Sequence, residues 1–267
     1  MSSGHTKRVT TAALAVPVVL LIVFFGGHIG FTLLVALTAI LATLEYDALL
    51  FQKNPVWLKV LGIIFCAVLI ATFYAGAFKA VSASLVIVFL ITGCLGVCRL
   101  GLNDPVHVLS KMMTGVLYVP FLLGHLVLIR QWESGITWTL FVLAVVFAGD
   151  TAAYYIGRAV GRRKLCPTIS PGKTVEGAAG GLAGSITMAC VFKAYWICGL
   201  SWWFAVTLGT VLGAAAQMGD LTESALKRSA RIKDSGRLLP GHGGILDRID
   251  GLLFAVPILY YVRTYLS

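Results

Sequence analysis

Between Asp220 and Asp250 the chain gathers acids, bases and glycines in a pattern that could do chemistry. Asp220 and Glu223 are three residues apart, as are Asp247 and Asp250, so each pair falls on one face of a helix. Hard oxygen donors of this kind suit Mg²⁺ or Mn²⁺, which take one or two carboxylates and fill their remaining positions with phosphate oxygens. Lys227, Arg228, Lys233, Arg237 and Arg248 stand among them, cations fit to hold phosphates. Pro240 announces a turn in which Gly241, Gly243 and Gly244 flank His242, and such a run can aim backbone N–H groups at an anion. Types and spacing read together as a site where a metal meets a polyphosphate.

A second stretch runs from Asp150 to Gly181. Asp150 ends an apolar run; Arg158, Arg162, Arg163 and Lys164 follow, then Ser170-Pro171-Gly172-Lys173-Thr174 and Glu176-Gly177. Gly172-Lys173-Thr174 has the look of a P-loop's end, but Pro167 stands where that loop needs its first glycine, and no buried parallel strand precedes it. Single charges in both stretches have plainer explanations. Glu223 and Lys227 make a favourable i,i+4 pair, and Arg231 and Arg237 suit the anionic surface of a membrane. Asp220, Asp247 and Asp250 together do not yield to that reading, because acids near membrane depth are expensive and mark sites.

The elements that must position these residues are membrane helices. Of 267 residues, 58% are hydrophobic and only 12% charged, where a soluble domain carries about 25%. That excludes a disordered chain, a disulfide scaffold and an ordinary cytosolic enzyme. A bilayer core takes about 20 apolar residues per helix, and that length predicts nine spans, near 10–27, 29–51, 56–76, 80–98, 112–130, 136–157, 174–198, 202–226 and 251–266. Glu45 and Asp47 interrupt the second, and Asp150 the sixth. Lys7 and Arg8 before the first span give it the look of a signal peptide, but with eight spans following it reads as a retained helix.

Sidedness follows from the 21 Lys and Arg residues. With the N-terminus inside, one side receives seventeen of them, and the other only Lys79, Arg130, Lys193 and Arg263. The positive-inside rule makes the richer side cytoplasmic. The expected architecture is therefore an all-α polytopic membrane protein of about nine helices, N-terminus cytoplasmic. Residues 1–130 are expected to form the scaffold with access to lipid, and 131–267 the catalytic region with two basic cytoplasmic loops; no separate soluble domain is expected. The formal charge of +10 needs no nucleic acid, since it collects around the carboxylates of those loops. The six cysteines are scattered, and Cys94 and Cys98, though four apart, lack companions for a metal. Gly177, Gly181 and Ser185, like Gly209 and Gly213, form small-residue stripes that let helices approach closely.

Ser224, Lys227, Arg228, Lys233, Asp234, Gly236, Leu239, Pro240, His242, Gly243, Gly244, Asp247, Arg248 and Asp250 resemble the signature of the phosphatidate cytidylyltransferases (CDP-diacylglycerol synthases). Asp150, Ala153, Tyr154, Gly157, Arg158, Gly161, Ser170-Pro171, Lys173-Thr174 and Glu176-Gly177 resemble that family's other typical stretch, with Gly172 where the resemblance calls for lysine. The first 140 residues resemble it only in hydropathy and size. The resemblance implies transfer of the cytidylyl group of CTP to phosphatidate, giving CDP-diacylglycerol and pyrophosphate for phospholipid biosynthesis. It implies Asp220 and Asp247 as principal ligands of Mg²⁺ or Mn²⁺, with Asp250 in support and a second cation as an open alternative. Asp220, Asp247, Lys233 and Arg248 are then the expected catalytic residues. Lys227, Arg228, His242, Gly243, Gly244, Ser170, Lys173 and Thr174 are the expected substrate contacts. The bacterial cytoplasmic membrane is the expected location, and a homodimer the expected assembly.

Two other readings compete. A CTP-dependent transferase acting on an isoprenoid or ether lipid phosphate would share the same site. A transporter would suit nine spans with intramembrane acids, but no repeat is visible and the acids crowd towards one face. The CDP-alcohol phosphotransferases are disfavoured, because Asp250-Gly251 leads into Leu252-Leu253 where that class has Ala-Arg.

Overall fold

The computed structural model describes residues 13, 16–50, 56–98, 105–232, 235–236 and 243–266. The helices are α1 (Val16–Phe25), α2 (Gly27–Leu50), α3 (Val56–Tyr74), α4 (Phe78–Cys98), α5 (Pro105–Val116), α6 (Leu122–Arg130), α7 (Gly135–Val160), α8 (Val175–Tyr195), α9 (Trp202–Ser229) and α10 (Leu246–Leu266). Seven stretches among the described residues are long and apolar enough to cross a membrane: α2, α3, α4, α7, α8, α9 and Val106–Arg130. The fold is that of an all-α polytopic membrane protein. Its apolar side chains face outwards as well as inwards, with Phe25 82% and Val97 89% exposed, as lipid-facing surfaces require. Two of the nine expected spans are not among the seven. The first is described as helix only over Val16–Phe25, and the last, α10, carries Asp247, Arg248 and Asp250 in its opening turns.

The span expected at 112–130 starts earlier. Val106–Arg130 is one run in which α5 and α6 are joined by a π-helical turn, Leu117–Phe121, built around Pro120. Proline has no N–H and its ring crowds the preceding turn, so the helix widens there instead of keeping its regular bonding. The sequence reading also lacked a small antiparallel hairpin, β1 (Lys164–Cys166) with β2 (Ser170–Thr174), paired Lys164 to Thr174 and Cys166 to Ser170.

The chain packs as two units, Met1–Gln131 with Asp234–Leu246, and Trp132–Lys233 with Asp247–Ser267. In the first, α2 buries Phe31, Val35, Ala39, Ala42, Tyr46 and Leu49 along one stripe with a helical period. Tyr46 Oη donates to Lys111 O (3.1 Å), and Lys111 Nζ donates to Leu50 O (2.7 Å), closing the C-terminus of α2. Gly115 and Gly124 lie flat against the rings of Tyr46 and Phe73.

In the second unit α7, α8 and α9 meet through small residues. Ser185 Oγ on α8 donates to Val145 O on α7 (3.0 Å), and Gly184 faces Ala148 and Ala152. On α9, Gly213 faces Ser185, and a Cβ at Gly209 would lie 2.7 Å from Ile186 Cα. Backbone cannot move aside as a flexible side chain can. Gly209→Ala should therefore lower the melting temperature in detergent, at a cost of about 1–3 kcal/mol. Gly93→Ala on α4, where a Cβ meets nothing within 4 Å, should leave it level or slightly raised.

Candidate active site

The site gathers where α9, α10, α7 and the hairpin meet in the second unit. Its geometry begins with a glycine. A side chain at Gly219 on α9 would run into the backbone of Asp250 and Gly251 on α10, so the two helices touch there. The contact sets Asp220, next to Gly219, close to Asp250. Asp150, Asp220 and Asp250 are near enough for each charge to act on the others. Asp250 Oδ1 accepts the N–H of Gly251 (2.8 Å). Ser224 Oγ lies 3.5 Å from Asp220 Oδ1.

Two lysines answer these acids. Lys173 Nζ on β2 lies 2.6 Å from Asp220 Oδ2. Lys227 Nζ lies 2.7 Å from Asp247 Oδ1 and also pairs with Glu223 Oε2. Glu223, which the sequence paired with Asp220 on one helical face and with Lys227 as an i,i+4 neighbour but which was not among the expected site residues, is completely buried and belongs to this constellation. Its signal was a carboxylate three residues beyond Asp220 on the same face.

The hairpin is fixed to the helices from several directions. Thr174 caps α8, its Oγ1 accepting from Gly177 N (3.1 Å), and is 7% exposed between Gly157 and Gly161. Glu176 accepts from the backbone N–H groups of Arg162 (3.0 Å) and Arg163 (3.2 Å). Arg228 Nε donates to Ile169 O (3.1 Å), which ties α9 to the turn beside Ser170. Lys173 is delivered to Asp220 by these contacts.

Of the residues expected at the site, Asp220, Asp247, Asp250, Lys173 and Lys227 come together with Arg228 and Ser170 close by along the hairpin. The exposed Arg248 acts on Asp150 through its charge. Thr174 serves as a helix cap. Gly243, with φ of +83° in the left-handed region that glycine favours, and Gly244 belong to the first unit. Lys233 and His242 lie outside the described residues. No three His, Cys, Asp or Glu side chains among the described residues converge tightly enough to enclose an ion by themselves. The donor chemistry still fits Mg²⁺ or Mn²⁺, because such ions need only one or two carboxylates when phosphates supply the rest.

Fold and site together define an integral membrane protein that sets carboxylates and lysines side by side at the ends of its helices. The chain belongs to the cytidylyltransferase family, whose sequence profile it matches over residues 6–266. It is 36% identical over 265 residues to the phosphatidate cytidylyltransferase of Brucella melitensis, covering 97% of this chain and 93% of that one. It is 40% identical to the Bacillus subtilis phosphatidate cytidylyltransferase over 152 residues and 43% identical to that of Staphylococcus saprophyticus over 137. In those two matches the chain spans 56% and 53% of the relative's length.

Removing Lys227 should expose what it holds apart. Lys227→Met takes away the ammonium that lies between Glu223 and Asp247, whose side chains are 1% and 11% exposed. Breaking such a buried pair costs about 3–5 kcal/mol, which a detergent melt should register. Adding Glu223→Gln to that variant should restore a large part of the loss.

Proposed function

We propose that this protein transfers the cytidylyl group of CTP to phosphatidate, giving CDP-diacylglycerol and pyrophosphate. The match with the Brucella enzyme over almost the whole of both chains carries this reading. The lysine–carboxylate constellation at the helix ends supplies its chemistry. A phosphate monoester has a second pKa near 6, so phosphatidate already offers an anionic oxygen at neutral pH and no protein nucleophile is required. That oxygen attacks the α-phosphorus of CTP; a P–O bond forms, the α–β anhydride bond breaks, and its electron pair leaves with pyrophosphate.

The work left to the protein is alignment and charge. Lys173 and Lys227 are already drawn to Asp220 and Asp247, and an entering phosphate competes with those carboxylates for the same ammonium groups. Arg228 and Arg248 add cations at the rim, with Lys233 and His242 assigned to phosphates by their place in the family's pattern. Ser170, Gly243 and Gly244 are the further substrate contacts. Asp220 and Asp247, supported by Asp250, would hold Mg²⁺ or Mn²⁺, with a place for a second cation. Bound there, the metal would neutralise phosphate oxygens and ease departure of pyrophosphate.

Seventeen cations on one side of the expected topology support a cytoplasmic N-terminus and a site that opens to cytoplasmic CTP. The organisms of the relatives support the cytoplasmic membrane of a bacterium. We assign the protein to a homodimer on family resemblance.

Purified protein given labelled CTP with phosphatidate, an isoprenyl phosphate or an ether-lipid phosphate should load phosphatidate far faster than the others. Preference for another lipid phosphate would reassign the substrate, and no transfer to any of them would overturn the reaction. Asp220→Asn and Asp247→Asn should each lower turnover by about 100-fold or more while remaining folded and extractable. Chelation should abolish transfer and added Mg²⁺ restore it. Excess Mg²⁺ should rescue Asp250→Asn better than either principal variant, and near-normal activity in both principal variants would sink the metal assignment.

A further inference from the structure

Glu45 stands on α2, remote in sequence from the acids that begin at Asp150, and only 4% of it is exposed. Its Oε2 accepts the backbone N–H of Leu246 (2.8 Å) and the hydroxyl of Ser235 (3.4 Å). Leu246 is the first residue of α10, so this carboxyl caps the helix from another element, at an end where unsatisfied N–H groups favour an oxygen acceptor. Gly236 and Gly244 close around the same group, and a Cβ on either would collide with the Glu45 side chain. Neither glycine has a left-handed φ. The demand for glycine there comes from Glu45 and, at Gly244, from Ser235 as well. Ser235, Gly236, Gly244, Leu246 and Glu45 all pack within the first unit.

In sequence, Pro240 and His242 lie between Ser235 and Leu246, and Asp247 follows Leu246 directly. We propose that Glu45 is a positioning residue for the transfer reaction: it holds Ser235 and Leu246, with Gly236 and Gly244 packed against it, and so sets where Gly243, Gly244 and the first turn of α10 present their groups. Glu45 touches none of the reacting phosphates in this scheme; it acts through the segment it holds. Its Oε1 has no hydrogen-bond partner among the described residues, so the grip seen there uses one oxygen acceptor, and the neutral oxygen of a glutamine can provide it. The catalytic part of the inference rests on the reaction proposed above, whereas the anchoring part stands on the contacts alone.

The test uses the full chain in detergent, with Glu45→Ala, Glu45→Gln and Gly236→Ala. Two quantities are read: hydrogen exchange of a peptide covering 243–250, and steady-state kinetics with CTP and phosphatidate. Glu45→Ala should speed exchange at Leu246 by about tenfold or more, with peptides of α8 unchanged. Its kcat should fall by about tenfold or more, with the KM for CTP moving far less, as misplacement of aligned groups would produce. Glu45→Gln should stay near wild type in both. Gly236→Ala displaces the carboxyl and should reproduce Glu45→Ala, and the double variant should be no worse than either single one. Unchanged exchange and kcat in Glu45→Ala, a glutamine variant as impaired as alanine, or additive losses in the double variant would each overturn the proposal. Should Glu45→Ala not fold, Gly236→Ala against Glu45→Gln decides the same point. If the wild-type protein transfers nothing to phosphatidate, the reaction is wrong, and exchange at Leu246 still decides whether Glu45 anchors the segment.

Discussion

Lys227 holds its ammonium between Glu223 and Asp247, and the second unit is organised around that kind of compensation. A carboxylate in or near a membrane has little water to stabilise it, so its cost is bearable only where a cation or an N–H group meets it. Asp220 has Lys173, and Glu176 has the backbone of Arg162 and Arg163. Arg263, in the last turn of α10, lies over the rings of Trp132 and Trp138, 4.3 and 4.6 Å from their centroids, a further way for a charge to be met in an apolar setting. Each pairing ties together elements that are separate in sequence. The electrostatic requirement thereby becomes a structural one: α9, α10 and the hairpin are located by the partners their charges need.

Close backbone approach makes those pairings possible. Side chains at Gly219, Gly209 or Gly184 would push neighbouring helices apart, and a salt bridge cannot follow such a shift for long before its geometry fails. In a membrane, helices gain little from burying apolar surface against each other, because lipid is as apolar as leucine. Packing of small residues and a few polar contacts must do that work. Ser185 combines both, filling the space beside Gly149 and Gly213 while donating to Val145 O. Scaffold and site draw on the same short stretches of α7, α8 and α9 for this reason.

Much of this was legible in the residues. Apolar length gave the spans of α2, α3, α4, α7, α8 and α9, because a span is a local property of about 20 residues. The acids after Asp150 stood out because they are rare in so apolar a chain. What stayed hidden was pairing at a distance. Lys173 and Asp220 are both visible as charges, yet nothing in their spacing says that a hairpin brings them to 2.6 Å. Glu223 showed itself as a same-face companion of Asp220 and an i,i+4 partner of Lys227, but not as a member of a triad with Asp247, which lies on another helix. Glu45 was visible only as an interruption of an apolar run, its partners being about two hundred residues further on. Pro120 was hidden for the opposite reason: its effect is local, but a π-helical turn absorbs it and leaves Val106–Arg130 continuous.

The proposed chemistry explains why such a site contains paired charges and needs no nucleophile. Attack by one phosphate on another brings two anions together, and their repulsion is the main obstacle to reaction. A bare cluster of lysines would neutralise them but could not persist at helix ends before the substrates arrive. Pairing each lysine with a carboxylate keeps the cluster stable and still leaves the ammonium available to a competing phosphate. A carboxylate released from its lysine in that exchange is an oxygen donor of the kind Mg²⁺ prefers. In the proposed reaction the arrangement would thus couple two needs, since each phosphate that took a lysine would free a carboxylate able to hold the proposed metal.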